Sequence, residues 1–89
     1  MAFIWDEKKA ATNLRKHGIE FPFAVRVFQS TVQAEWIDDR EDYGEERWNV
    51  VGFVDALDLL VTYTVRGDDI RILSARRTTK YEREKYWRG

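Results

Sequence analysis

The chain has 89 residues, with 15 Lys or Arg, 16 Asp or Glu, a single His and no Cys. That length suits one small domain over residues 1–89 with a modest core, and 44% hydrophobic content with 15% aromatic residues excludes a disordered chain. The lack of Cys excludes disulfides and thiolate chemistry, and no apolar run has the length of a signal peptide or a membrane span, so the expected location is the cytoplasm.

A net charge of −1 hides an asymmetry. Residues 1–34 carry five Lys or Arg against three acids, residues 35–58 two Arg against nine acids, and residues 59–89 eight Lys or Arg against four acids. A pI near 5.8 argues against a uniformly basic nucleic-acid coat protein. It allows one basic face for a polyanion and one acidic face for a basic partner.

Residues 2–5 are apolar and β-forming, an expected edge strand. Asp6 then suits a helix N-cap, and Lys16, His17 and Gly18 supply a C-terminal signal, which predicts a helix over 7–17. Pro22 fits the first position of a second helix over 22–29. From Thr31 the apolar period changes from helical to alternating. Strands are expected over 31–37, 47–54, 59–65 and 70–76, separated by turns at 38–44, 55–58 and 67–69. The third of these is the most apolar and therefore central. Thr79 to Glu82 matches a capping box opening a last helix to about Trp87. The sum is an α+β domain: a small antiparallel sheet of about four strands, two N-terminal helices and one C-terminal helix.

With one His, no Cys and no nucleotide-binding glycine loop, neither a zinc site nor a P-loop is expected, and no cofactor is implied. The acidic run 38–42 reads as a solvated loop in preference to a cation site, Arg40 in its midst counting against the latter. The informative chemistry is basic. Strict alternation along 70–77 puts Ile70, Ile72, Ser74 and Arg76 on one face and Arg71, Leu73, Ala75 and Arg77 on the other. A strand face that passes from apolar to hydroxyl and guanidinium is leaving the core, and arginine offers a planar fork for phosphate. Lys80, Arg83 and Lys85 follow on the helix, with Tyr81 and Tyr86 able to stack on bases. The plainer reading pairs these cations with Glu82, Glu84 and the acidic middle. His17 either complements a helix C-terminus or serves as general acid or base. Arg47 either reaches the same phosphate or pairs with Glu45, and Glu45 or Glu46 could supply a base. Trp5, Trp36, Trp48 and Trp87 read as packing groups.

The order Trp5-Asp6 with Lys9, Asn13 to Gly18, Phe21 with Ala24 and Phe28, Asp42 to Arg47, Gly52, Tyr63-Thr64 with Arg66, Arg71 to Arg77, then Glu82-Arg83 and Tyr86, resembles the BrnT family of toxin–antitoxin ribonucleases over nearly the whole chain. The resemblance implies a RelE-like fold and a toxin that cuts RNA without a metal and arrests translation and growth. It further implies neutralisation by a BrnA-like ribbon-helix-helix antitoxin, with operator DNA bound only through that complex. On the same resemblance His17, Arg47, Arg71, Ser74 and Arg76 match the family's active surface. Lys16, Arg77, Lys80 and Arg83 are the accompanying RNA contacts. A non-catalytic interaction module acting as co-repressor, or a plain RNA-binding domain, is the alternative.

Overall fold

The change to alternating spacing after residue 31 produces a four-strand antiparallel meander, to which the N-terminus adds a fifth strand. The computed structural model describes residues 1–40, 42 and 44–87. In it β2 (Val32–Ile37), β3 (Trp48–Val54), β4 (Leu57–Arg66) and β5 (Asp69–Arg77) pair antiparallel in sequence order. The short β1 (Phe3–Ile4) lies parallel to β5, so the sheet order is β1-β5-β4-β3-β2. The edge strand expected over residues 2–5 is present as β1, and its parallel pairing makes the sheet mixed and five-stranded where an antiparallel one of about four strands was expected. A parallel pairing arises because an entire helical crossover, residues 7–29, separates β1 from the meander. The apolar strand β4 is central, as its composition predicts.

Helix α1 (Glu7–His17) begins at Asp6, whose carboxylate accepts from the backbone N–H groups of Lys8 and Lys9, and ends at Gly18 in the left-handed region at φ 70°. The segment expected as one helix over 22–29 divides into α2 (Phe21–Ala24) and a 3₁₀ helix (Val25–Gln29). The tighter coil sets Val27 against the bare backbone of Gly52 on β3. A Cβ at that glycine would lie 3.0 Å from Val27 Cγ2 and 3.2 Å from Ser30 Oγ. Ile19, Phe21, Ala24 and Val27 meet Val50, Val54, Leu59, Val61, Tyr63, Ile72 and Ala75 in the core. Burying this apolar surface is the main term holding helices to sheet.

The β3–β4 connection is shorter than the expected 55–58 turn. Asp55 and Ala56, at φ 49° and 67°, make it alone, as in the two-residue hairpin turns that match strand twist. Arg26 braces it, its guanidinium donating to both Asp55 oxygens at 3.0 and 2.8 Å. Asp58 therefore belongs to β4 and is buried.

The opposite face of the sheet receives α3 (Lys80–Tyr86), capped by the expected Thr79–Glu82 box. Tyr86 stacks on Trp36 with ring centres 4.7 Å apart, and Trp87 meets Phe53 edge-on at 4.9 Å. Asp58 anchors the same helix. It accepts from the Arg77 guanidinium and from the Thr78 backbone N–H and hydroxyl, and Arg83 stands 3.7 Å away.

Candidate functional site

The pairing of β4 with β5 carries one irregularity that decides the site. Thr62 opposes Ser74, while Tyr63 opposes Ile72, so Leu73 is an extra residue in β5. The bulge resets the alternation. Ile72 and Ala75 both face the core, whereas Arg71, Ser74 and Arg76 share the opposite face with Thr64, Thr62 and Leu60. The expected separation of Arg71 from Ser74 and Arg76 is therefore wrong, because strict alternation does not anticipate a bulge. The corrected arrangement is the more compact one.

Beyond Arg71, β5 has no neighbouring strand on its β1 side, and α1 covers that edge. Buried Asn13 substitutes for a strand partner: its amide donates to the Ala75 carbonyl at 2.8 Å and accepts from the Ala75 N–H at 3.0 Å, and also donates to the Ile19 carbonyl. Next to this clamp a groove of about 340 Å³ opens between α1 and β5. Lys8, Lys9, Lys16 and His17 line it with Thr12, Asn13, Leu73 and Ser74, and among the described residues no acid does. His17 and Lys16, expected from sequence, are here. Lys8, Lys9 and Thr12 were missed, although a spacing of four along a helix, at 8, 12, 16 and at 9, 13, 17, aligns all six positions on one side. A cationic, hydroxyl-bearing groove holds phosphate oxygens through charge and short hydrogen bonds.

Ser74 also lines a second depression, of about 190 Å³, on the sheet face, together with Trp36, Asn49, Thr62, Arg76 and Glu82. Its floor holds a buried hydrogen bond from Thr62 Oγ1 to Asn49 Oδ1 at 2.7 Å. Here the charges are mixed. Asp38 receives the Arg40 guanidinium at 2.8 Å through both oxygens. Arg76 donates through both terminal nitrogens to the two oxygens of Glu82, each at 2.8 Å. Those hydrogen bonds hold the Arg76 pKa above its ordinary value. The same pair takes Glu82 below the ordinary carboxylate range, against the opposing effect of burial. Arg76 is thus on the expected face but already occupied, the plainer of the two sequence readings.

The remaining expected residues lie apart from the groove. Arg71, half-buried on the face of Ser74, feels Asp6 across β1 and has no ion pair among the described residues. Arg47 stands at the start of β3, two strands from β5, with Nε 3.6 Å from Glu45. Glu45 also meets Arg66, and Glu46 accepts from the Trp48 indole, so both proposed bases are engaged. Arg77 and Arg83 belong to the Asp58 anchor, and Lys80 is exposed, 4.0 Å from Glu84. Tyr86 stacks on Trp36 and leaves Tyr81 as the exposed ring of α3. Among the described residues no three His, Asp or Glu side chains form a metal-binding group. Glu41 in the acidic run, and Tyr43 in the resemblance, lie outside the described residues.

These features define a small α+β protein in which one helix and a bulged strand end frame a cationic groove. Residues 5–82 match the family described as ribonuclease toxin, BrnT, of type II toxin–antitoxin systems. The chain belongs to that family, which implies an RNA substrate and an antitoxin partner. A comparison with curated proteins finds no match.

Proposed function

We propose that the protein is a metal-independent endoribonuclease toxin whose reaction centre is the groove between α1 and β5. The observation that carries this reading is a groove lined by Lys8, Lys9, Lys16 and His17 together with Ser74, with no acid among its described lining residues, in a chain of the BrnT family.

RNA brings its own nucleophile. The 2′-oxygen attacks the adjacent phosphorus, the bond from phosphorus to the 5′-oxygen breaks, and the products are a 2′,3′-cyclic phosphate and a 5′-hydroxyl. His17, as neutral imidazole, takes the 2′-hydroxyl proton, and a groove ammonium donates one to the departing 5′-oxygen. Ser74 and Thr12 orient the phosphate by hydrogen bonding. The lysines stabilise the extra negative charge of the five-coordinate phosphorus, usually the largest contribution in such a site. Arg71 and Arg76 extend the cationic track across the sheet face, Arg76 by exchanging Glu82 for phosphate. Arg47, Arg77, Lys80 and Arg83 act at a distance, through the fold or the longer RNA. Cleavage in the cytoplasm would arrest translation and growth until a BrnA-like ribbon-helix-helix antitoxin binds, and operator DNA would be held only by the complex. The RelE-like class of small nuclease fold fits the α+β architecture. The pairing of Arg76 with Glu82 favours, as a second reading, an RNA-binding or co-repressor domain without cleavage.

The test is cleavage of a defined oligoribonucleotide in EDTA by wild type, Ser74→Ala, His17→Ala and Arg76→Ala, with product ends identified by mass. Cyclic-phosphate ends from the wild type, and losses on the order of 10²-fold or more for His17→Ala, are the expected result. Cleavage that appears only with added magnesium removes the metal-free mechanism. Binding without cleavage by the folded wild type selects the second reading.

A further inference from the structure

The outer side of α1 differs in kind from the side that faces Ser74. Two contiguous depressions, of about 390 and 330 Å³, run along it and share Leu14 and Glu20. Trp5, Ala10, Ala11, Phe21 and Phe23 supply their apolar walls, and Leu14 stands at their junction 43% exposed. Among the described residues Glu7 and Glu20 are the charged groups of the lining, and no cation joins them.

We propose that this groove is the docking site for an amphipathic helix of the antitoxin, apolar on the buried face and bearing Lys or Arg on its flanks. The proposal rests on the family reading of a toxin with a protein partner. Charge selects the class of occupant. Two carboxylates beside an apolar strip repel RNA phosphates and attract cations. Shape selects a helix, since the groove runs between α1 and α2 and away from any sheet edge, the setting in which ridges of one helix fill the grooves of another. The 11 residues of α1 rise about 16 Å, which matches three turns of partner helix with apolar anchors at positions i, i+3 or i+4, and i+7. Because α1 separates this groove from the cationic one, the docked helix leaves Ser74 and His17 accessible. Docking supplies affinity, and a different part of the partner covers the nuclease groove.

The experiment titrates purified full-length toxin with its cognate antitoxin and follows amide hydrogen exchange of the toxin free and bound. Protection is expected within residues 7–14 and 20–23. Leu14→Asp is expected to weaken the complex on the order of tenfold or more, as loss of a central anchor does, with RNA cleavage by the uncomplexed variant unchanged. Glu7→Lys combined with Glu20→Lys provides the second variant and is expected to weaken the complex most at low salt. Protection confined to the β2 edge or the sheet face, or affinities within twofold of wild type for both variants, overturns the proposal. So does a wild-type dimer that Leu14→Asp converts to monomer, which would make a second copy the occupant. A wild type that neither cleaves RNA nor binds the antitoxin overturns the underlying function as well, and so is distinct from loss of the docking site alone.

Discussion

At the level of single residues, two side chains bear most directly on the proposed site. Glu82 holds Arg76 at 2.8 Å through both oxygens while also accepting from the Thr79 N–H in the helix cap. Glu82→Gln keeps a residue able to complete the cap but removes the charge that competes with phosphate. RNA affinity measured with an uncleavable 2′-deoxy analogue should rise several-fold at low salt, and Arg76→Ala should abolish that gain. Asn13 is the second. Asn13→Asp lacks the donors that satisfy the buried Ala75 and Ile19 carbonyls, and urea denaturation should show a loss of about 2–3 kcal/mol. The sequence left the pairing of Arg76 with Glu82 as one of two readings, while the Asn13 clamp was not legible in it. The bulge at Leu73 was not legible either, and one extra residue there reverses the facing of Arg71 relative to Ser74. His17 was singled out as the one imidazole and Ser74 by its place on a strand face that passes from apolar to polar, and both line the groove. Lys8 and Lys9 were passed over because helix lysines are ordinarily solvated.

At the level of elements, the helices and strands were largely legible because capping residues, Gly18 and the change of apolar period are local signals. The edge strand at β1 was legible, but its parallel pairing, the 3₁₀ coil and the two-residue turn were not, since each depends on contacts far along the chain. That turn holds non-glycine residues in the left-handed region, and Ala56→Gly, at φ 67°, should raise stability by about 1 kcal/mol. The docking of α3 depends on Asp58. Burial alone would raise the pKa of this carboxyl, but hydrogen bonds from Arg77 and Thr78 overcome that effect and hold it well below the ordinary carboxylate range. Glu82 is lowered as well. A carboxylate depressed by folding stabilises the native state at pH values above its unfolded pKa of about 4, and this contribution is lost as the pH falls below that value. Acid titration followed by circular dichroism should show stability falling below about pH 4. Asp58→Asn should cost about 2–3 kcal/mol at pH 7 and flatten that acid limb.

At the level of the whole molecule, charge is sorted by surface. The α1–β5 groove is cationic, the outer groove of α1 is acid-rimmed, and the acid-rich segment 35–58 includes β3, the latter half of β2 and the start of β4 among its described residues. The logarithm of RNA affinity should therefore fall linearly with the logarithm of salt concentration. Lys8→Ala and Lys16→Ala, placed over the groove, should each reduce the magnitude of the slope by about 0.7 if each contacts one phosphate of a single strand, whereas Lys80→Ala should leave it nearly unchanged. The aromatic contacts are sorted too, and this makes the molecule its own optical sensor. Trp5 lies against Phe21, and Trp48 packs on the core. Trp36 lies under Tyr86, and Trp87 against Phe53. Release of α3 exposes the second pair of indoles to water while the first pair stays shielded. A red shift in emission that precedes the loss of far-ultraviolet ellipticity would thus report the last helix leaving the sheet before the core opens.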